Sequence, residues 1–192
     1  MRVRRLLRRL RREAGYSLIE MLTVLVIMGV VTGSLTALFV QASNAESDMN
    51  NRFQAQLTAR LALDKMRREV HCASVATPAG SSYSVTLTLP SYCKTGSGSI
   101  TWCTRSASTG RYALYRVQGA SCTGGVKWAD YLTSSSTAAI TGGELYIFNY
   151  TAQSSTSLAT LSVDFPVNMK PSKTVELYEL KDDIVLRNST RT

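Results

Sequence analysis

From Met21 to Val40 the chain runs for twenty residues without one charged side chain. At about 1.5 Å per residue that makes about 30 Å of helix, the thickness of a hydrocarbon core. A helix that is apolar all round belongs in a protein interior or in lipid, so this run constrains the fold more than any other segment. Ahead of it lies a short arm holding Arg2, Arg4, Arg5, Arg8, Arg9, Arg11 and Arg12. Positive residues flanking a span stay cytoplasmic, which sends everything from Gln41 onward to the far side. Glu20 stands at the mouth of the span, where a carboxylate is costly unless something pairs with it. A charge kept at that place points to a function beyond anchoring.

Residues 15 to 20 read Gly-Tyr-Ser-Leu-Ile-Glu. An ordinary secretory signal is cut after its apolar stretch, at small residues in an A-x-A-like arrangement. Here Gln41, Ala42, Ser43, Asn44 and Ala45 make only a weak site of that kind. A plain signal anchor accounts for the arginines and the span but leaves Gly15 and Glu20 unexplained. The arm, hexapeptide and span together resemble the N-terminus of type IV prepilin-like proteins, the precursors of type IV pilins and type II secretion pseudopilins.

That resemblance covers residues 1 to 40 and carries definite implications. A membrane prepilin peptidase would cut after Gly15, releasing residues 1–15 as a cytoplasmic leader, and would methylate the new amine of Tyr16. The family usually has phenylalanine after the cut, and Tyr16 keeps the aromatic ring. Glu20 would be the assembly carboxylate, one helical turn from the amine created at Tyr16. In a filament the amine of one subunit would pair with Glu20 of a neighbour, in a low-dielectric bundle where such pairing counts for more. Losing one partner of a buried pair costs on the order of 3–5 kcal/mol. The implied partners are other pilin or pseudopilin subunits, the peptidase and an inner-membrane assembly platform, with a single pass through the bacterial cytoplasmic membrane. Gly29 and Gly33 form a Gly-x-x-x-Gly spacing that lets membrane helices approach closely. Glycine is also simply common in membrane helices, and the pair could instead loosen the helix, so its role stays open.

The net charge of +9 suggests nucleic acid at first sight, but the arm alone carries seven arginines against Glu13, a net +6. From Tyr16 onward the excess falls to +3, and only nine residues from His71 to Lys170 are charged. A Ser-, Thr- and Gly-rich surface of that kind suits an exported β-rich domain rather than a basic stripe that tracks phosphates.

Residues 41 to 70 contain neither Pro nor Gly, and Ala55, Ala59, Ala62, Leu63, Met66 and Val70 recur at helical spacing. Met49, Phe53, Leu57 and Leu61 form an adjoining stripe. One helix from about Ser17 to about Val70 follows, with residues 16–44 as its transmembrane half. Residues 45–192 form the head, whose amphipathic helix buries one face under a sheet. Lys65, Arg67, Arg68 and Glu69 read as the solvated side. Alternation marks Tyr83–Leu89, with Val85, Leu87 and Leu89 on one face. It also marks Leu158–Val167, where Leu161, Val163, Phe165 and Val167 align. Ile100–Arg105, Arg111–Gln118, Leu145–Thr151 and Thr174–Leu186 are further strands, separated by Gly- and Ser-rich turns. The expected fold is α+β and pilin-like, a long N-terminal helix on an antiparallel sheet, β-rich over residues 80–188.

Four cysteines on the oxidising side imply two disulfides with three possible pairings. Cys93 and Cys103 flank a turn-rich segment between two strands, which favours a hairpin staple, leaving Cys72 to join Cys122. No closely spaced ligand pair suggests zinc. His71, the one histidine, is next to Cys72 at a helix end, which is not a nucleophile arrangement, and a capping or solvated role fits it better. Asp182 and Asp183 are a pair that could ligate calcium or simply form a turn. Asn149 and Asn188 head sequons that matter only in a glycosylating host. No catalytic residues, cofactor or metal are expected. The helix end and the C-terminal Val185-Leu186-Arg187-Asn188 resemble minor subunits more than major ones. The function expected is therefore a minor pilin or pseudopilin, a structural subunit. The alternatives are a single-pass anchored binding or adhesin domain and a DNA-uptake pilin.

Overall fold

The computed structural model describes residues 16–170 and 177–189, in two units, Met1–Asp48 and Met49–Thr192. A single helix, α1 (Leu18–Cys72), begins in the first unit and ends in the second. It runs unbroken through Gly29 and Gly33. From Tyr16 to Ser47 every residue is exposed, including Leu25, Ile27, Met28, Val30 and Phe39.

In the second unit, α1 packs against an antiparallel sheet. Its buried residues are Ala55, Ala59, Ala62, Leu63, Met66, Glu69 and Val70. The apolar members are the stripe expected from the spacing. Ala55, Ala59 and Ala62 are the small members of this face and Leu63 and Met66 the large ones, each large side chain contributing about 1.5–3 kcal/mol by its burial. The adjoining stripe stays outside, with Phe53 59% and Leu61 53% exposed.

The strands are β1 (Val75–Thr77), β2 (Gly80–Ser82), β3 (Ser84–Leu89), β4 (Gly98–Ser108), β5 (Arg111–Gln118) and β6 (Val126–Leu132). They continue with β7 (Ile140–Thr141), β8 (Glu144–Leu145), β9 (Phe148–Thr151), β10 (Thr160–Val167) and β11 (Tyr178–Val185). Strands β1-β3-β4-β5-β6 form one half of the main sheet, and β2-β9-β10-β11 form the other. One residue pair, Leu132 with Val167, joins the halves in the ladder. Backbone bonds from Thr133 N to Pro166 O (2.9 Å) and from Asn168 N to Tyr131 O (2.8 Å) reinforce the seam. Strands β7 and β8 make a separate hairpin.

Four of the expected strands coincide closely with observed ones, and Leu145–Thr151 divides between β8 and β9. The expected Thr174–Leu186 is met by β11 from Tyr178 to Val185, and its residues 174–176 lie outside the described residues. Strand β6 was not legible, and its register shows why. Between Tyr112↔Leu132 and Leu114↔Ala129, β5 advances by two residues and β6 by three. A second shift follows between Leu114 and Tyr115. Such bulges destroy the period-2 alternation by which a strand is read. At the first bulge Tyr131 takes a left-handed backbone with φ 61°. Asp130 Oδ1 accepts from the Tyr131 amide at 2.7 Å, and the Arg111 guanidinium lies 3.8 Å over its ring. Those contacts hold an unfavourable conformation where β6 turns toward β10.

Glu69 corrects the expectation of a solvated basic face. Its side chain is fully buried. Oε2 accepts from Trp102 Nε1 at 2.8 Å, and Oε1 from Arg116 Nε at 2.9 Å. Lys65 Nζ lies 3.3 Å from Oε1. One carboxylate thus joins α1, β4 and β5. Arg67 is engaged as well, donating to Asp182 on β11 at 2.9 Å.

The disulfide pairing differs from the hairpin staple. Cys72 bonds Cys93, and Cys103 bonds Cys122. In the β3–β4 hairpin, Leu89 faces Gly98 at the turn while Cys103 faces Ser84. Five steps along β4 at about 3.4 Å place Cys103 about 17 Å from the turn where Cys93 lies. Side chains alternate along a strand, and Trp102 points to the helix, so Cys103 points away from it. Cys72, at the helix end, is out of its reach. The β5–β6 loop covers Cys103 instead and brings Cys122 to it. That loop needs its glycine: Gly125 has φ 83°, and a Cβ there would stand 2.5 Å from the Arg116 carbonyl oxygen.

Candidate processing and assembly site

Tyr16 and Ser17 precede α1. The Ser17 carbonyl accepts the first helical bonds, from Glu20 N at 3.0 Å and Met21 N at 3.1 Å. Ser17 therefore occupies the N-cap position and Glu20 the third helical position, the spacing of a capping box. A carboxylate in the first turn is favoured by the helix dipole, a local role compatible with pairing to an external amine. Tyr16 is 76% exposed, and Glu20 is exposed as well. Gly15 and the arginine arm lie outside the described residues.

The span that follows satisfies its own polar groups. Thr23 Oγ1 donates to Glu20 O at 2.9 Å, Thr32 Oγ1 to Met28 O at 2.7 Å, and Ser34 Oγ to Val31 O at 2.8 Å. Thr36 Oγ1 donates to Thr32 O at 2.8 Å. No hydroxyl on this stretch then needs water, which hydrocarbon cannot supply. The helix is long and apolar enough to cross a membrane. Gly29 and Gly33 share one face and have nothing within 4 Å of where a Cβ would be, leaving an open notch.

His71, Asp182 and Asn188 play structural parts in the head. His71 Nδ1 lies 2.9 Å from Val185 O, tying the helix end to β11. Asp182 and Asp183 are central in β11 rather than in a turn, and Asp182 is engaged by Arg67. Among the described residues no group of three or more acidic, Cys or His side chains could hold a metal. Asn188 Nδ2 donates to Cys72 O at 2.9 Å, so the C-terminal strand is latched to the helix end.

A second charged cluster had no signature in the sequence. On β5 and β6, Asp130 accepts from Arg111 Nε and NH2 at 2.9 and 2.8 Å and from Lys127 Nζ at 2.9 Å. Burial alone would raise the Asp130 carboxyl, but the bonds from Arg111, Lys127 and the Tyr131 amide outweigh it and hold the pKa at about 2. Lys127 and Tyr131 are its near neighbours in sequence, but Arg111 lies on the adjacent strand and meets it only through the bulged register.

Compared with known families, residues 10–36 match the model described as the prokaryotic N-terminal methylation motif. This is the type IV prepilin-like cleavage and methylation signature. No curated protein and no solved structure matches the chain. The signature heads a long helix that packs on an antiparallel sheet, so the chain has the plan of a pilin-like precursor and suggests a structural subunit rather than an enzyme.

Proposed function

We propose that the protein is a minor pilin or pseudopilin, processed between Gly15 and Tyr16, methylated at Tyr16, and built into a type IV pilus or type II secretion pseudopilus through its N-terminal helix. The observation that carries this reading is the methylation motif over residues 10–36, on a helix whose apolar side chains from Leu18 to Val40 are all exposed. In lipid these side chains are solvated by acyl chains, and in a filament by neighbouring helices. Glu20 supplies the carboxylate that meets the methylated amine of an adjacent subunit, and the Gly29–Gly33 notch gives that helix room to approach. The exposed stripe of Met49, Phe53, Leu57 and Leu61 extends the apolar contact into the head.

Intact-mass analysis of protein from its native membrane tests the processing step. The expected mass is that of residues 16–192 plus one methyl group. Retention of Met1, or a cut after Val40, refutes the reading. Glu20→Ala then separates assembly from anchoring: filament incorporation is lost while processing and membrane insertion persist. Unchanged incorporation removes Glu20 from assembly, whereas a wild-type chain that stays in the membrane and enters no filament is a single-pass anchored binding domain instead.

A further inference from the structure

The outer face of the second half-sheet carries a feature separate from the N-terminal helix. Pairing registers place Ser81 on β2 beside Asn149 on β9, Asn149 beside Ser162 on β10, and Ser162 beside Asp183 on β11. A hydroxyl, a carboxamide, a hydroxyl and a carboxylate thus form one row across four strands. At about 4.8 Å per strand the row spans about 14 Å. None of these four side chains has a hydrogen-bond partner among the described residues. All four line one cavity of about 510 Å³, a volume typical of small-molecule sites.

The remaining walls narrow the ligand class. Tyr146, packed edge-on against Tyr83 with ring centroids 6.0 Å apart, and Ile147 supply an apolar side. Lys181 stands in the next row, paired with Glu179 at 2.9 Å and 3.8 Å from Asp164. Thr137 donates to Asp164 Oδ2, while Oδ1 is buried with no hydrogen-bond partner among the described residues. Asp182 is engaged by Arg67. What stays available at the surface is mostly neutral donors and acceptors, with the exposed Asp183 carboxylate at the end of the row. A polyanion would meet carboxylates without an unpaired cation to receive it. A sugar fits better, since its hydroxyls match an evenly spaced polar row and its C–H face suits an aromatic wall.

We infer that this cavity is a binding site for a neutral oligosaccharide of two or three rings, read by Ser81, Asn149, Ser162 and Asp183. The inference does not rest on how the helix assembles. The test uses the detergent-solubilised full-length chain and three neutral probes, maltotriose, cellotriose and triacetylchitotriose, followed by saturation-transfer NMR and titration. At least one probe binds saturably with a Kd near 1 mM, about −4 kcal/mol. Asn149→Ala and Asp183→Ala each weaken that binding at least about tenfold, roughly 1.4 kcal/mol. Both positions are exposed, and an unchanged thermal melt confirms that the variants fold. Three results would overturn the inference: no binding of any probe at about ten times that concentration, unchanged binding in both variants, or binding of trilysine in preference to the sugars, which would make this a cation site.

Discussion

Glu69 shows how one side chain can set a helix on a sheet. Trp102 and Arg116 both donate hydrogen bonds to a carboxylate that water does not reach. Glu69→Ala leaves a buried indole N–H and a guanidinium without an acceptor, and should lower unfolding free energy by about 3 kcal/mol. Glu69→Gln keeps the shape and one acceptor and should cost about half that. Chemical denaturation followed by tryptophan fluorescence measures both, because Trp102 is at the contact. Asp130 acts through pH. Its folded pKa of about 2 lies below the ordinary 3.8, so its contribution is complete above about pH 4 and fades as pH falls toward 2. Asp130→Asn should remove on the order of 1 kcal/mol at neutral pH, allowing for solvent screening, and flatten the acid limb across that window. Asp164 runs the other way: burial raises its pKa, against the bond from Thr137 and the charge of Lys181. Its contribution is greatest at low pH, below its unfolded value, and lessens as pH rises through its folded one. Comparing variant with wild type isolates the Asp130 part. Neither residue could be recognised in the sequence. Glu69 lies within a run that reads as a solvated helix face, and only strands far along the chain make it a buried acceptor.

At the scale of elements, the helix was the most legible part and the loops the least. The spacing of Ala55, Ala59, Ala62, Leu63, Met66 and Val70 names the buried face, because helical periodicity is a local property. The disulfides depended on hairpin register and strand facing, which spacing along the chain does not encode. Each closes a loop, with sequence separations of 21 and 19 residues. Replacing Cys72 and Cys93 by serine should lower stability by about 3 kcal/mol, the loop-entropy value for rings of this size. Equilibrium unfolding measures the loss, and hydrogen exchange should place it at the end of α1 and the β3–β4 loop. Uniform exchange across the head would contradict a local tie. The bulges of β6 belong to the same scale: they displace Tyr131 and aim Asp130 at Arg111, and they hide the strand from any period-2 reading.

For the whole molecule, the proposed processing would change charge far more than length. The complete chain carries +9, and the part from Tyr16 onward only +3. Isoelectric focusing of membranes with and without active prepilin peptidase should therefore show the processed form shifted to lower pI. An unshifted band argues against removal of the arm. The basic character that first suggests nucleic acid belongs largely to residues 1–15.

The sequence by itself determined the membrane-competent helix, the processing motif, the α+β plan and the face of α1 that meets the sheet. Each of these rests on local composition or on a period of 3.6 or 2. Tertiary structure decided which cysteines pair, that Glu69 is buried, and that the sheet is two halves joined at Leu132 and Val167. It also decided that Ser81, Asn149, Ser162 and Asp183 share one row. Those features depend on which strands become neighbours and in what register, and that is settled only when the whole core closes.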